Sequence, residues 1–198
     1  MLALYKRIVP CDESVRGGGW RREADGFNTF ELAGKTVGIV GAGLMASQLA
    51  LLFCRRLEVP VVLSDLDQAR VDKGVAYVHA EIDKLAAKGR LSHDKANRLR
   101  ALVTGVVDKA DAFSDADFVV EAVFEEMKVK KAVFADVEKV VSPECVLATN
   151  TSSLSITEMA ADLEHPERVV GFHFFNPVAV MPLLEIVHGA LTDDATLA

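Results

Sequence analysis

The sequence predicts a doubly wound α/β domain, a mainly parallel sheet covered by helices on both faces. Three observations carry this. Short apolar runs rich in β-branched residues alternate with helical stretches from Lys35 onward. The runs are apolar along most of their length, as in strands buried on both faces. A glycine-rich turn, Gly41-Ala42-Gly43, joins the first run to the first helical stretch.

Residues 1–33 stand outside this pattern. They carry Gly17-Gly18-Gly19 and scattered charges without a clear period, and they read as a linker or tail, with Trp20 and Phe27 as candidates to dock on the body. The domain proper is expected over residues 34–198. Thr36–Val40 is the first strand and Leu44–Arg56 the first helix. Val59–Ser64 is the second strand, with Pro60 at its start, where a missing N–H is tolerated. Residues 67–88 form a long amphipathic helix, with Val71, Val75, Val78, Ile82 and Leu85 near helical spacing. Gly89 ends it. Ser92 caps a short helix running to Leu102, so that the two make an inserted helical hairpin. Val103–Val107 is a weak strand and Asp117–Ala122 a strong one. Glu126–Val140 is helical. Cys145–Thr149 is a buried strand, and Ser155 caps a helix to Leu163. Arg168–Phe172 and Leu183–Val187 are the last strands, and Thr192-Asp193-Asp194 resembles a helix start with no helix expected behind it.

The chain has 198 residues, a net charge of −7 and 51% hydrophobic residues, enough for one packed domain with an appendage. The acidic balance argues against a nucleic-acid partner, which needs a basic footprint. Thr36–Cys54 carries no charge over 19 residues, close to the length of a spanning helix. Its Gly38, Gly41 and Gly43 and its β-type opening read instead as strand, turn and helix, so no membrane span is expected. The N-terminus lacks the apolar core of a secretion signal. Cys11, Cys54 and Cys145 are widely spaced and odd in number, which offers neither a disulfide framework nor metal-ligand spacing. The expectation is reduced thiols, no metal and a cytoplasmic setting.

Gly41-Ala42-Gly43-Leu44-Met45-Ala46 follows a strand and opens a helix, the context a dinucleotide-binding turn requires. Gly41 permits the tight turn, Gly43 lets the backbone approach a pyrophosphate, and Ala46 takes the third small position against the strand. Leu44 and Met45 begin the helix, whose N-terminus presents N–H groups and a partial positive charge. Asp65 lies 24 residues after Gly41, where an acid can hold the ribose hydroxyls and repel a 2′-phosphate. NAD is therefore the expected cofactor, with Arg70 close enough to soften the preference over NADP. Taken singly, the glycines are turn residues and Asp65 a surface acid. Strand, loop, helix and acid in register favour a Rossmann-type domain.

In such sheets the C-terminal strand ends form the binding crevice. Asn150-Thr151-Ser152-Ser153-Leu154 stands at one of them. It is either a polar cluster for cofactor or substrate, or a simple turn with a cap at Ser153 or Ser155. His173 ends the next strand, in Gly171-Phe172-His173-Phe174-Phe175-Asn176-Pro177. An imidazole among aromatics is often just a packed polar group. Its place beside the crevice points to chemistry, as does Glu185, 12 residues on in another apolar run. A carboxylate there needs a partner, and a buried His173–Glu185 pair would supply it, with the acid orienting the imidazole. Such a pair suits alcohol oxidation, in which hydride leaves carbon while a base takes the hydroxyl proton.

At these residues the sequence resembles the NAD-binding domain of L-3-hydroxyacyl-CoA dehydrogenases, over about Lys35 to Ala198. It is most similar to the dehydrogenase region of multifunctional fatty-acid oxidation enzymes. The shared signatures are Val-Gly-Ile-Val-Gly-Ala-Gly-Leu-Met, Val-Val-Glu-Ala-Val-Phe-Glu-Glu, Ala-Thr-Asn-Thr-Ser-Ser-Leu-Ser-Ile, and Gly-Phe-His-Phe-Phe-Asn-Pro with Glu185 beyond. Ala46 departs from the usual third glycine. The resemblance implies reversible NAD-dependent oxidation of an L-3-hydroxyacyl-CoA to the 3-ketoacyl-CoA in fatty-acid β-oxidation. It implies His173 as general base, Glu185 as its partner and Ser152 as a hydrogen-bond donor to the substrate oxygen. Ser152, Asn176, Glu125 and Lys130 would serve the nicotinamide side of the cofactor. Lys84 and Lys88, on the hairpin that meets CoA in this family, are candidates for phosphate contacts. An acyl-CoA substrate is implied, with hydratase and thiolase partners of a fatty-acid oxidation complex. The family's helical C-terminal domain is expected to be absent from this chain. The alternative is therefore a catalytically silent NAD-binding module that needs that domain for turnover.

Overall fold

The computed structural model describes residues 34–181 and 183–197, so the linker assigned to residues 1–33 lies outside the described residues. In chain order the elements are β1 (Val37–Val40), α1 (Leu44–Arg56), β2 (Val61–Ser64), α2 (Gln68–Ala87), α3 (His93–Ala101), β3 (Val103–Gly105), α4 (Lys109–Phe113), β4 (Phe118–Glu121), α5 (Met127–Glu138), β5 (Val146–Thr149), α6 (Ile156–Ala160), a 3₁₀ turn (Pro166–Arg168), β6 (Val169–Phe174), β7 (Leu184–His188) and α7 (Asp194–Leu197). The strands form one sheet in the order β3-β2-β1-β4-β5-β6-β7. All neighbours are parallel except β6 and β7. This is the Rossmann-type arrangement the sequence predicts. The winding reverses between β1 and β4, which puts the crevice of such a sheet beyond their C-terminal ends.

The two faces carry separate cores. On one, Ile39 and Leu63 of the sheet pack with Leu49 and Phe53 of α1 and Val78 and Ile82 of α2. Phe172 and Phe174 extend this core to β6, their rings 4.9 Å apart, with Phe53 reaching both. On the other face, Val119 and Leu147 pack with Phe113, Phe134 and Met159 from α4, α5 and α6. Complete burial of each such large side chain contributes about 1.5–3 kcal/mol.

Several boundaries differ from expectation. Helix α4 has no counterpart in the sequence reading. Five residues are too few to show a helical period, but Asp108 caps them by accepting from the N–H groups of Ala110 (2.8 Å) and Asp111 (3.1 Å). Strand β3 stops at Gly105, where α2 presses so close that a Cβ would stand 2.3 Å from Val71. Helix α6 ends at Ala160 instead of Leu163. Strand β6 runs on through Phe174, because β7 pairs with it from Val170 to Phe174. The last helix does form, capped by Asp193, which accepts from the Thr196 N–H at 2.7 Å. Among the described residues, no helix is long and apolar enough to cross a membrane.

Candidate active site

The turn after β1 is set by two glycines with different duties. Gly41 has φ +111°, and a Cβ there would stand 2.9 Å from the Ala122 carbonyl oxygen. The chain can turn this tightly against the end of β4 only because Gly41 has no side chain. Gly43 has ordinary angles (φ −71°, ψ −175°), and a Cβ built on it would meet nothing within 4 Å. It faces open space. Gly43 is also the N-cap of α1, with no side chain capping the helix. The first-turn N–H groups thus look into that space, the arrangement that receives an anion. Leu44 is exposed there, Met45 is partly buried, and Ala46 is fully buried against the sheet.

Asp65, after β2, accepts hydrogen bonds from the N–H groups of Ala42 and Leu66, each at 2.7 Å. It therefore ties the glycine turn to the neighbouring strand as well as facing the cleft. Arg70 lies 3.9 Å from Asp65 but 3.1 Å from Asp67, which draws it aside. Gly43, Leu44, Asp65, Arg70, Lys73 and Tyr77 line a cleft of about 430 Å³. On the hairpin, Lys84 is exposed and paired with Glu81 at 2.6 Å, and Lys88 is exposed.

At the same C-terminal end of the parallel strands, β5, β6 and the facing start of β7 bring three polar side chains into line. The Ser152 hydroxyl lies 3.2 Å from His173 Nε2, and His173 Nδ1 lies 2.9 Å from a Glu185 carboxylate oxygen. A carboxylate accepts only, so Nδ1 carries the ring proton toward Glu185 and Nε2 is left to accept from the Ser152 hydroxyl. His173 and Glu185 are directly opposed in the β6–β7 ladder. The expectation of a buried pair is corrected: the Glu185 side chain is 49% exposed and that of His173 15%. Strand β7 is the sheet edge, and its side chains are only partly covered. Phe175 flanks the imidazole, ring centroids 4.6 Å apart. Asn150 accepts from the Phe174 N–H at 2.9 Å and so joins the Ser152 loop to β6. Asn176 is exposed, and two residues later the Val178 N–H donates to Gln48 of α1 at 3.0 Å.

Beneath Ser152 lies a charged network whose central member the sequence reading gave no role. Glu121, at the end of β4, is fully buried, and Lys130 of α5 is 1% exposed. The Lys130 ammonium lies 2.6 Å from Glu121 and 3.3 Å from Glu125. Glu125 also accepts from the Thr151 hydroxyl and, at 2.9 Å, from the Ser152 N–H. Burial pushes the Glu125 carboxyl up, but the Thr151 and Ser152 hydrogen bonds and the Lys130 charge outweigh it and leave its pKa below the ordinary 4.5. Lys130 thus lies between two carboxylates. A glutamate closing an apolar strand, with a lysine nine residues on, was the available signal.

Cys54 and Cys145 are buried free thiols, pushed up by burial to about 11 and about 12 respectively, which leaves them unsuited to nucleophilic work. No group of metal-binding side chains occurs among the described residues.

Comparison with known proteins shows the family. Residues 36–198 match the family model of the 3-hydroxyacyl-CoA dehydrogenase NAD binding domain. The fatty acid oxidation complex subunit alpha of Idiomarina loihiensis is 39% identical over 163 residues, covering 82% of this chain and 22% of that protein. The 3-hydroxyadipyl-CoA dehydrogenase of Escherichia coli is 37% identical, covering 80% of this chain and 33% of that one. The crystal structure of Escherichia coli 3-hydroxybutyryl-CoA dehydrogenase superposes with a TM-score of 0.78 at 36% identity, covering 82% of this chain and 34% of that one. The chain thus spans between a fifth and a third of the length of these two curated relatives.

Proposed function

The chain belongs to the 3-hydroxyacyl-CoA dehydrogenase NAD-binding domain family, and on that premise we propose that it serves the NAD-dependent oxidation of L-3-hydroxyacyl-CoA to 3-ketoacyl-CoA in fatty-acid β-oxidation. The observation that carries the reading is the Ser152–His173–Glu185 line, with separations of 3.2 Å and 2.9 Å, at the same C-terminal end of the parallel strands as the glycine turn.

The residues fit NAD. The open space over Gly43 and the uncapped α1 N-terminus suit a pyrophosphate. Asp65 in the cleft suits ribose hydroxyls and opposes a 2′-phosphate. Glu125, Ser152 and Asn176 would hold the nicotinamide side, with Lys130 acting through Glu125. When bound, NAD supplies the acceptor for the hydride. His173 Nε2 takes the proton of the substrate hydroxyl, and the Nδ1 proton stays hydrogen-bonded to Glu185, whose negative charge stabilises the imidazolium that forms. With substrate in place the Ser152 hydroxyl turns its one proton from Nε2 to the substrate oxygen, which frees Nε2 to act as the base and holds that oxygen beside it. In the reverse direction His173 returns the proton.

The whole reaction is proposed to run within a fatty-acid oxidation assembly, as the name of the Idiomarina relative suggests, with the hydratase and thiolase partners that the family resemblance implies. The buried free thiols suit a reducing compartment such as the cytoplasm. The openness of Glu185 favours one second reading, an NAD-binding module with little turnover of its own, because a wet site weakens the electrostatics.

Fluorescence titration with NADH followed by addition of acetoacetyl-CoA tests both. Binding with NADH consumption supports the dehydrogenase, provided free acetoacetate fails in its place. Binding without consumption supports the module. An absence of NADH binding refutes both.

A further inference from the structure

We propose that Glu121 is a positioning residue for the Ser152 loop, acting through Lys130 and Glu125. Its carboxylate is fully buried, and both oxygens are engaged. One accepts from the Val123 N–H (2.8 Å) and the Lys130 ammonium (2.6 Å), the other from the Thr149 hydroxyl (2.7 Å). Thr149 is its register partner on β5, and Val40 its partner on β1. An apolar side chain at such a position would serve stability as well or better, because a buried ion pair must first offset its own desolvation. What this pair adds is direction. It fixes one side of the Lys130 ammonium, and the same ammonium lies 3.3 Å from Glu125. Glu125 spends its other oxygen on the Ser152 N–H and the Thr151 hydroxyl. The chain of contacts runs from the end of β4 to the residue whose hydroxyl faces His173.

Without the Glu121 charge, the buried ammonium has Glu125 as its sole carboxylate. Glu125 is then drawn inward, away from the Ser152 N–H, and Ser152 is released. The catalytic meaning of this rests on the function proposed above; the positioning itself does not.

The test uses Glu121→Gln, of nearly the same shape and uncharged. Glu138→Gln is the control. Glu138 is another well-covered carboxylate, holding Arg168 and the N–H groups of Glu164 and His165 near the start of β6, at the opposite end of the sheet. Amide hydrogen exchange is followed in the ligand-free chain. Loss of a hydrogen bond to a charged group should speed exchange at Ser152 by about tenfold or more in Glu121→Gln, with the control unchanged there. Glu121→Asp, which keeps the charge but withdraws it from the Lys130 ammonium, should give a smaller rise in the same place and serves if Glu121→Gln does not fold; Thr149 is left intact because its hydroxyl also accepts directly from the Thr151 N–H at 3.1 Å. NADH affinity should fall about tenfold in Glu121→Gln, and the loss should be less than additive with that of Glu125→Gln, as for groups on one path. Exchange at Ser152 that changes only in step with core amides such as Ile39, or strictly additive affinity losses, would overturn the proposal. Failure of the unaltered chain to bind NADH would remove the functional reading alone, because the exchange result still decides the positioning.

Discussion

Replacing Gly43 by serine should make the protein more stable and a poorer binder of its dinucleotide in a single step. The backbone at Gly43 (φ −71°, ψ −175°) is open to any residue, and nothing lies within 4 Å of an added Cβ. The folded state therefore bears no strain, while the unfolded chain loses freedom. Serine can also cap α1, which lacks a side-chain cap. Together these should add about 0.5–1 kcal/mol to stability, a rise in melting temperature of about 1–4 °C for a domain of this size. The same hydroxymethyl group occupies the space over the first-turn N–H groups and competes for them. NADH affinity should fall about 100-fold, equivalent to about 2.7 kcal/mol. Gly41→Ala is the contrasting variant: with φ +111° and a backbone oxygen 2.9 Å from the new Cβ, it should lose about 1–3 kcal/mol of stability. Thermal unfolding and fluorescence titration on the same preparations read both quantities. A Gly43→Ser protein that is less stable, or that binds NADH within about threefold of the original, would refute the assignment of that open space to phosphate.

Three further outcomes are expected. His173→Gln should abolish turnover with acetoacetyl-CoA and leave NADH affinity nearly unchanged; equal loss of both would place His173 in binding instead of proton transfer. Asp65→Ala removes both the cleft carboxylate and the acceptor of the Ala42 N–H, so NADH affinity should fall about tenfold and the preference over NADPH should narrow; an unaltered preference would exclude the ribose contact. Burial pushes the Glu138 carboxyl up, but hydrogen bonds from Glu164, His165 and Arg168 more than compensate and hold it below 4.5. Its stabilising effect is then complete above that value and is lost as pH falls through the lower folded one, because the unfolded chain binds the proton first. Urea midpoints of the original and of Glu138→Gln should differ most above about pH 5 and converge toward acid; a gap independent of pH would contradict the shift.

What the sequence disclosed depended on how each feature is encoded. The alternation of apolar runs with helical stretches, together with the glycine turn, predicts a doubly wound, mainly parallel sheet, which the structure shows; the strand order β3-β2-β1-β4-β5-β6-β7 comes from the pairing alone. The glycine turn was legible because it is local: Gly41, Gly43 and Asp65 owe their places to one strand–turn–helix–strand unit. The exposure of Glu185 was not legible. An apolar run looks the same whether its strand is central or at an edge, and only the pairing puts β7 outermost. Helix α4 escaped notice because one turn has no period, although the Asp108 cap was there to be seen. Glu121 escaped for another reason. A strand-ending acid reads as an exit to solvent until the helix that returns Lys130 to it is in place.

The antiparallel pairing of β6 and β7 has a consequence for how this domain can vary in length. His173 and Glu185 meet because their backbones are in register, and alternate residues of a strand point to opposite faces. A residue inserted or deleted within either strand, between the pair and the start of the ladder, would turn one partner to the wrong side and disconnect the two without altering either side chain. The connection between Val178 and Leu184 is under no such constraint, since it can lengthen while the ladder stays in phase. Insertions and deletions tolerated by the reaction should therefore gather in that connection and avoid the two strands.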